Sequence, residues 1–244
     1  MKKIITMAII LSLLMPLAMA TTTKLYPTGD AYVRGKTSEK NNNFGSSQDL
    51  KSGFQASWGN QESYLIFDLS SLSGQEINSA QFTIDVLSNT DSPVIKLHSV
   101  SSTSWDESTI TWNNKPSTSS LIQSKNINSN DLVSFNITSL VSENAGNKIS
   151  LALIEDGGDG FIQSFSKEYF STGTDEDKLR WPTLEVTFDD GQQCNTEADI
   201  DCNGCVSLLE IVGTMLDYKQ GNSDLSLLEM VNIMLQYKGG EISC

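Results

Sequence analysis

An all-β sandwich followed by a small α-helical domain is the fold class that the sequence predicts, and three observations predict it. Up to about residue 190, hydrophobic and polar residues alternate over short runs broken by Gly, Asn, Ser and Pro, the pattern of half-buried strands. After residue 206, Leu, Val and Met recur at three- to four-residue intervals, the pattern of amphipathic helices. All four cysteines lie between Cys194 and Cys244, so the composition changes where the periodicity does.

Composition removes several function classes. The 244 residues carry a net charge of -14, which opposes binding to nucleic-acid backbones and to anionic lipid surfaces. With one histidine, His98, the chain does not readily assemble a Ser-His-Asp triad, a Cys-His pair or a multi-His zinc site. His98 alternates in step with Val94, Lys96 and Val100, and reads as a surface or groove residue.

Residues 1–20 read as a secretory signal peptide. Lys2 and Lys3 precede the apolar run Ile4 to Leu14, and Ala18-Met19-Ala20 supplies the small residues of a cleavage site. That run is short for a membrane span, and no later segment is apolar enough to cross a bilayer. Export is expected, with a mature chain from Thr21 whose net charge moves from -14 to -16 as the two lysines are lost.

Residues 21–190 form the expected sandwich. Ala80, Phe82, Ile84 and Val86 alternate with Gln81, Thr83 and Asp85; Val133, Phe135 and Ile137 with Ser134 and Asn136; Leu184, Val186 and Phe188 with Thr183, Glu185 and Thr187. One apolar face per strand and one polar face is how antiparallel sheets pack in pairs. The polar, glycine-containing stretch Asp189 to Gln193 then marks the boundary to residues 191–244.

Specific runs add to this reading: Asp30-Ala31-Tyr32-Val33, Asn43-Phe44-Gly45, Tyr64-Leu65-Ile66-Phe67-Asp68-Leu69-Ser70, the stretch Trp105 to Pro116 with Glu107, Ile110, Trp112 and Asn113, then Ser166-Lys167-Glu168 and Pro182-Thr183-Leu184. Together they resemble the DNRLRE-type domain, grouped as carbohydrate-binding module family ninety-six, over residues 24 to 188. The resemblance implies a jelly-roll β-sandwich, found in secreted proteins beside polysaccharide-degrading modules, that binds carbohydrate and does not cleave it. Asp106 and Asn136 depart from the family pattern without disturbing the alternation.

Binding a sugar takes an aromatic face for the ring and planar polar groups for the hydroxyls. Trp105 and Trp112 sit in the family motif and Trp181 precedes Pro182, positions that suit packing. Trp58 lies in the polar, glycine-flanked loop Gly53 to Asn60 and is the better binding candidate. Lys167, Glu168 and Tyr169 form a second candidate cluster. Asp156-Gly157-Gly158-Asp159-Gly160 reads as a glycine-rich hairpin loop, with a calcium turn as the alternative, and Asn136-Ile137-Thr138 is a glycosylation sequon.

The tail carries a metal motif. On a twelve-residue calcium loop, Asp199, Asp201 and Asn203 fill the first, third and fifth places, and Gly204 the turning sixth. Cys205 gives its carbonyl at seven, Ser207 stands at nine and Glu210 is the bidentate twelfth ligand. The rival reading, a helix capping box at Ser207 and Glu210, leaves Asp199, Asp201 and Asn203 unexplained. Val206-Ser207-Leu208-Leu209-Glu210 returns 19 residues later as Leu225-Ser226-Leu227-Leu228-Glu229, and Val212, Met215, Leu216 and Tyr218 as Val231, Met234, Leu235 and Tyr237. Two short amphipathic helices, each the other's partner, follow.

A duplicated loop-helix in an exported chain resembles a dockerin, over about residues 194 to 240, which implies docking to a cohesin-like scaffold protein. The second copy departs, with Tyr218 and Gln220 in its first and third ligand places, so Glu229 reads as a cap. Export favours two disulfides among Cys194, Cys202, Cys205 and Cys244; three connectivities are open, and Cys194–Cys202 with Cys205–Cys244 is the one favoured. A four-cysteine zinc site is the rival.

The sequence therefore predicts a secreted, non-catalytic polysaccharide-binding module with a calcium-stabilised, dockerin-like tail. A structural or adhesive surface protein is the alternative, and a polysaccharide-degrading enzyme the third reading, which needs a carboxylate pair or a positioned base.

Overall fold

The structure is a computed structural model that describes residues 20–169, 177–189, 206–222 and 225–239. One compact unit runs Ala20–Asp189, and the described part of the tail belongs to another.

Among the described residues of the first unit there are eleven strands: β1 (Ala20–Leu25), β2 (Gly29–Arg34), β3 (Asp49–Gln55), β4 (Gly59–Asp68), β5 (Glu76–Thr90), β6 (Val94–Val100), β7 (Thr118–Asn126), β8 (Leu132–Asn136), β9 (Lys148–Glu155), β10 (Phe161–Phe165) and β11 (Thr183–Asp189). One six-residue helix, α1 (Thr138–Glu143), joins β8 to β9. Every pairing described is antiparallel. β1, β11, β5 and β8 form one sheet; β10, β3, β4, β9, β6 and β7 run across the other, with β2 also on β4. β5 serves both. Its first part pairs with β11 and β8, and its last residues, Val86 to Thr90, pair with β10. At 15 residues it is longer than most strands of one sheet, and it turns the corner where the register of β10 shifts at Gln163/Ser164.

The alternation read from sequence sets the core. Phe82, Ile84, Phe135, Leu184 and Val186 face Leu65, Phe67, Leu97, Leu151 and Leu153 across the sandwich, all fully buried. Phe67 and Phe82 meet edge to face at 5.8 Å, and Phe82 stacks on Phe135 at 6.2 Å. Each such side chain contributes about 2–3 kcal/mol by leaving water.

The second sheet also buries its other face. Ala31, Val33, Tyr64, Val100 and Ala152 pack under Ile110, Trp105 and Trp112, which come from the loop between β6 and β7. Trp105 meets Tyr64 edge-on at 6.2 Å and donates Nε1–H to Ser150 Oγ at 2.9 Å. Asn43 Nδ2 donates to the carbonyls of Glu107 and Ile110, at 2.7 and 2.8 Å. The Trp-rich motif is thus a lid that gives the sheet a second small core.

In the tail, Leu208–Gln220 form α2 and Leu227–Gly239 form α3. Both begin with a capping box: the backbone N–H of Ser207 and Ser226 donate to Glu210 and Glu229 Oε2 at 2.8 Å, and both serines accept the glutamate N–H at 3.3 Å. α2 ends on Gly221 in the left-handed region, as a helix terminus of this kind requires. Val206, Ile211 and Ile233 form the small core, with Leu225 and Tyr237 against it. Among the described residues, no helix is long and apolar enough to cross a membrane.

Candidate functional site

Trp58 stands on the tip of the β3–β4 hairpin. Gln55 pairs with Gly59, so Ala56, Ser57 and Trp58 are the loop, closed by Trp58 N–H donating to the Gln55 carbonyl at 2.9 Å. Gly59 has φ +69°, and a side chain there would press on Lys36 N at 3.2 Å. Two further hairpin tips come alongside. Asp91 and Ser92, between β5 and β6, hold the left-handed conformation at φ 57° and 48°. The β9–β10 turn reaches in as Phe54 N–H donates to the Gly160 carbonyl at 2.9 Å. The three tips enclose a concavity of about 540 Å³ lined by Phe54, Gln55, Ser57, Trp58, Thr90, Asp91 and Asp159. Trp58 is 37% exposed there, so part of its indole is open to solvent.

What holds that indole is a residue the sequence did not single out. The Arg34 guanidinium lies 4.2 Å from the Trp58 ring, 4.7 Å from Phe44 and 5.3 Å from Tyr32, and Tyr32 and Phe44 stack on each other at 4.6 Å. Arg34 is itself fixed by Glu39 Oε2 at 2.8 Å and Gln61 Oε1 at 3.3 Å. Its hydrogen bond holds the Glu39 carboxyl below the usual range. Lys36 Nζ adds a second cation 4.9 Å from the Trp58 ring. Arg34 ends the Asp30-Ala31-Tyr32-Val33 run, but nothing in its spacing says that it stacks.

Lys167 and Glu168 are not part of this concavity. They meet Asp30, from the start of β2, and Glu107, from the lid loop. Lys167 Nζ pairs with Glu107 Oε1 at 2.8 Å and with Glu168 Oε1. Asp30 donates its N–H to Glu107 Oε1 at 2.9 Å and accepts the Lys167 N–H on Oδ2 at 3.0 Å. Burial, then the charge of Glu168, pushes the Asp30 carboxyl well up; burial also raises Glu107. Burial works against the charged form of Lys167, and the hydrogen bonds it donates to Glu107 and Glu168 outweigh this and raise its pKa. Tyr169 leans on Phe165 with ring centroids 4.1 Å apart, and its carbonyl accepts Trp181 Nε1–H at 2.9 Å. The cluster expected at residues 167–169 is therefore an internal ion-pair network plus an aromatic packing contact. The topology sends the paired Lys167 and Glu168 to Asp30 and Glu107, and Tyr169 to Phe165 and Trp181.

Of the calcium loop, Asp199, Asp201, Asn203 and Cys205 lie outside the described residues; Ser207 and Glu210 form the capping box. The donors at these spacings are oxygens, which suits a hard cation. Cys194, Cys202, Cys205 and Cys244, and residues 1–19 of the expected signal peptide, also lie outside. The glycine-rich turn closes as a hairpin: Glu155 accepts the N–H groups of Gly157 and Gly158 at 2.9 and 2.7 Å, and Asp156 pairs with Lys96. His98 is half-buried on β6 with Nδ1 unpartnered, and burial, then Lys96, lowers its pKa. Asn136 is exposed.

Comparison with known proteins bears on the sandwich. The model of carbohydrate-binding module family 96 matches residues 21–180. A gellan lyase from a Bacillus species is 32% identical over 133 residues, an alignment covering 47% of this chain and 5% of that protein.

Proposed function

The chain belongs to carbohydrate-binding module family 96, and from that premise we propose that its sandwich holds a polysaccharide on the Trp58 ledge without cleaving it. The observation that carries this is Trp58 itself: an indole 37% exposed, clamped by a fixed guanidinium, on the wall of a concavity of about 540 Å³. A clamped ring stacks on the C–H face of a pyranose with little ordering cost. Gln55, Ser57, Thr90, Asp91 and Asp159 supply donors and acceptors for ring hydroxyls. Asp91 and Asp159 outweigh the one positive charge left by Arg34 and Lys36 on Glu39, which disfavours a polyanionic chain, so the ligand class is a neutral, hydroxyl-rich glycan. Similarity to the gellan lyase extends over 5% of that protein, so its cleavage activity stays with it.

The tail supplies attachment in this proposal. Ser207 and Glu210 would hold calcium with Asp199, Asp201, Asn203 and the Cys205 carbonyl, and the ion would neutralise the loop's carboxylates beside α2. The helix pair docks on a cohesin-like scaffold. Support comes from the repeat: Leu208, Leu209, Val212, Met215 and Leu216 are exposed, and so are their counterparts Leu227, Leu228, Val231, Met234 and Leu235. The module works outside the cell, after export on residues 1–20.

The test is a glycan array with the mature chain, with and without calcium. A neutral polysaccharide is retained, and Trp58→Ala lowers retention about tenfold or more by removing the stacking surface. Arg34→Ala lowers it less, by the about 0.5–2 kcal/mol of a cation–π contact. A blank array, combined with oligomers that grow with protein concentration, selects a structural or adhesive assembly instead.

A further inference from the structure

We propose that Asp30, Glu107 and Glu168 form a divalent-cation site of the calcium class on the sandwich, distinct from the loop in the tail. One oxygen of each carboxylate lies within 4.8 Å of the others. Two oxygens bound to one calcium at about 2.4 Å are at most about 4.8 Å apart, so these separations are compatible with a common ion after small side-chain adjustments.

A separate observation points the same way. Asp30 is 1% exposed, and its Oδ1 has no hydrogen-bond partner; neither has the buried Oε2 of Glu168. Carboxylate oxygens shut away from water without a partner are costly, and a hard cation is the partner they take. The Lys167 ammonium does not fill this need, because it is engaged with Oε1 of Glu107 and Oε1 of Glu168. The Lys167 N–H on Asp30 Oδ2 fixes that carboxylate's orientation.

Charge sets the valence. Once the ion displaces the proton that Asp30 holds in its absence, three carboxylates and one ammonium sum to -2, which one divalent ion cancels in a place where net charge is poorly solvated. Water completes the six to eight ligands that calcium takes. Because Asp30 stands on β2, Glu107 on the Trp-rich lid and Glu168 after β10, the ion would pin the lid to the sheet. Gly45 is part of the fit: a Cβ there would stand 2.1 Å from the Glu107 carbonyl oxygen.

The test uses the mature chain carrying Asp199→Ala and Asp201→Ala, which removes two ligands of the tail loop, stripped of metal and titrated with calcium chloride in a calorimeter. One ion binds per chain with a Kd of about 0.1–1 mM, the range of extracellular calcium modules, and the melting temperature of the sandwich rises with it. Glu168→Gln weakens binding about tenfold or more, and Lys167→Gln, which removes the competing ammonium, tightens it. Lys167→Gln decides the matter should Glu168→Gln fail to fold, since a purely structural ion pair gives no gain of calcium affinity. Absence of heat and of any melting shift up to about 10 mM calcium overturns the proposal. So does a folded Lys167→Gln protein that ignores calcium. No glycan is present in this titration, so its failure leaves the Trp58 reading untouched.

Discussion

Phe82 and Leu209 mark two ways in which this chain treats a large apolar side chain. Phe82 is fully buried between two sheets, in contact with Phe67 and Phe135. Leu209 is 85% exposed on α2, and its repeat counterpart Leu228 is 78% exposed on α3. The sandwich has two sheets and a lid, enough layers to enclose its apolar faces. Among the described residues, the two 13-residue helices share a small core, and ten of their large hydrophobic residues are exposed. The difference teaches where each region's stability originates. Burial carries the sandwich, whereas the helix pair relies on caps and a small core, and gains from anything that binds its folded form.

The largest test of this contrast is Phe82→Ala. It should cost the sandwich about 3–5 kcal/mol in urea unfolding, the range for emptying a buried aromatic site. A cost near zero would break the comparison at once.

Next comes pH. The folded-state pKa of Asp30 is raised, by burial first and by Glu168 second, so the native state binds its proton more tightly than the unfolded chain does. That contribution to stability is complete below the unfolded aspartate pKa of about 3.9 and is lost as pH rises through the folded value. Urea unfolding of the calcium-free sandwich across this window should show Asp30 lowering stability as pH rises, and Asp30→Asn should flatten that part of the slope. An unchanged slope would show that Asp30 is not the group responsible.

The smaller test sharpens the contrast inside the tail. Ile211→Ala should destabilise the helix pair by about 2 kcal/mol, because Ile211 is in the core with Val206 and Ile233. Leu209→Ala should change it by less than about 0.5 kcal/mol. Helical circular dichroism on heating compares them. Equal costs would mean that the exposed set is covered in solution.

Much of the architecture is legible in the sequence. The period-two runs at Ala80–Val86, Val133–Ile137 and Leu184–Phe188 put their apolar members in one core, because a strand's side chains alternate whatever it pairs with. The Ser-x-x-Glu starts of α2 and α3 became caps, because capping is settled within four residues. The 19-residue repeat fixed which helix positions are equivalent: Leu208, Leu209, Val212, Met215 and Leu216 are exposed, as are Leu227, Leu228, Val231, Met234 and Leu235, whereas Val206 is buried and its counterpart Leu225 only half-buried.

Three other features depend on residues far apart in the chain. That β5 belongs to two sheets follows from which partners lie beside each half, not from its own alternation. Arg34 clamps Trp58 because the β3–β4 hairpin folds back over the end of β2, an encounter with no local signal. Lys167 and Glu168 were visible as a charged pair, but their joining with Asp30, 137 residues away from Lys167, and with Glu107 was not. Periodicity and capping are short-range physics and can be read from neighbours. Stacking, charge clustering and shared burial arise between segments brought together by strand order, and a one-dimensional pattern does not contain that distance.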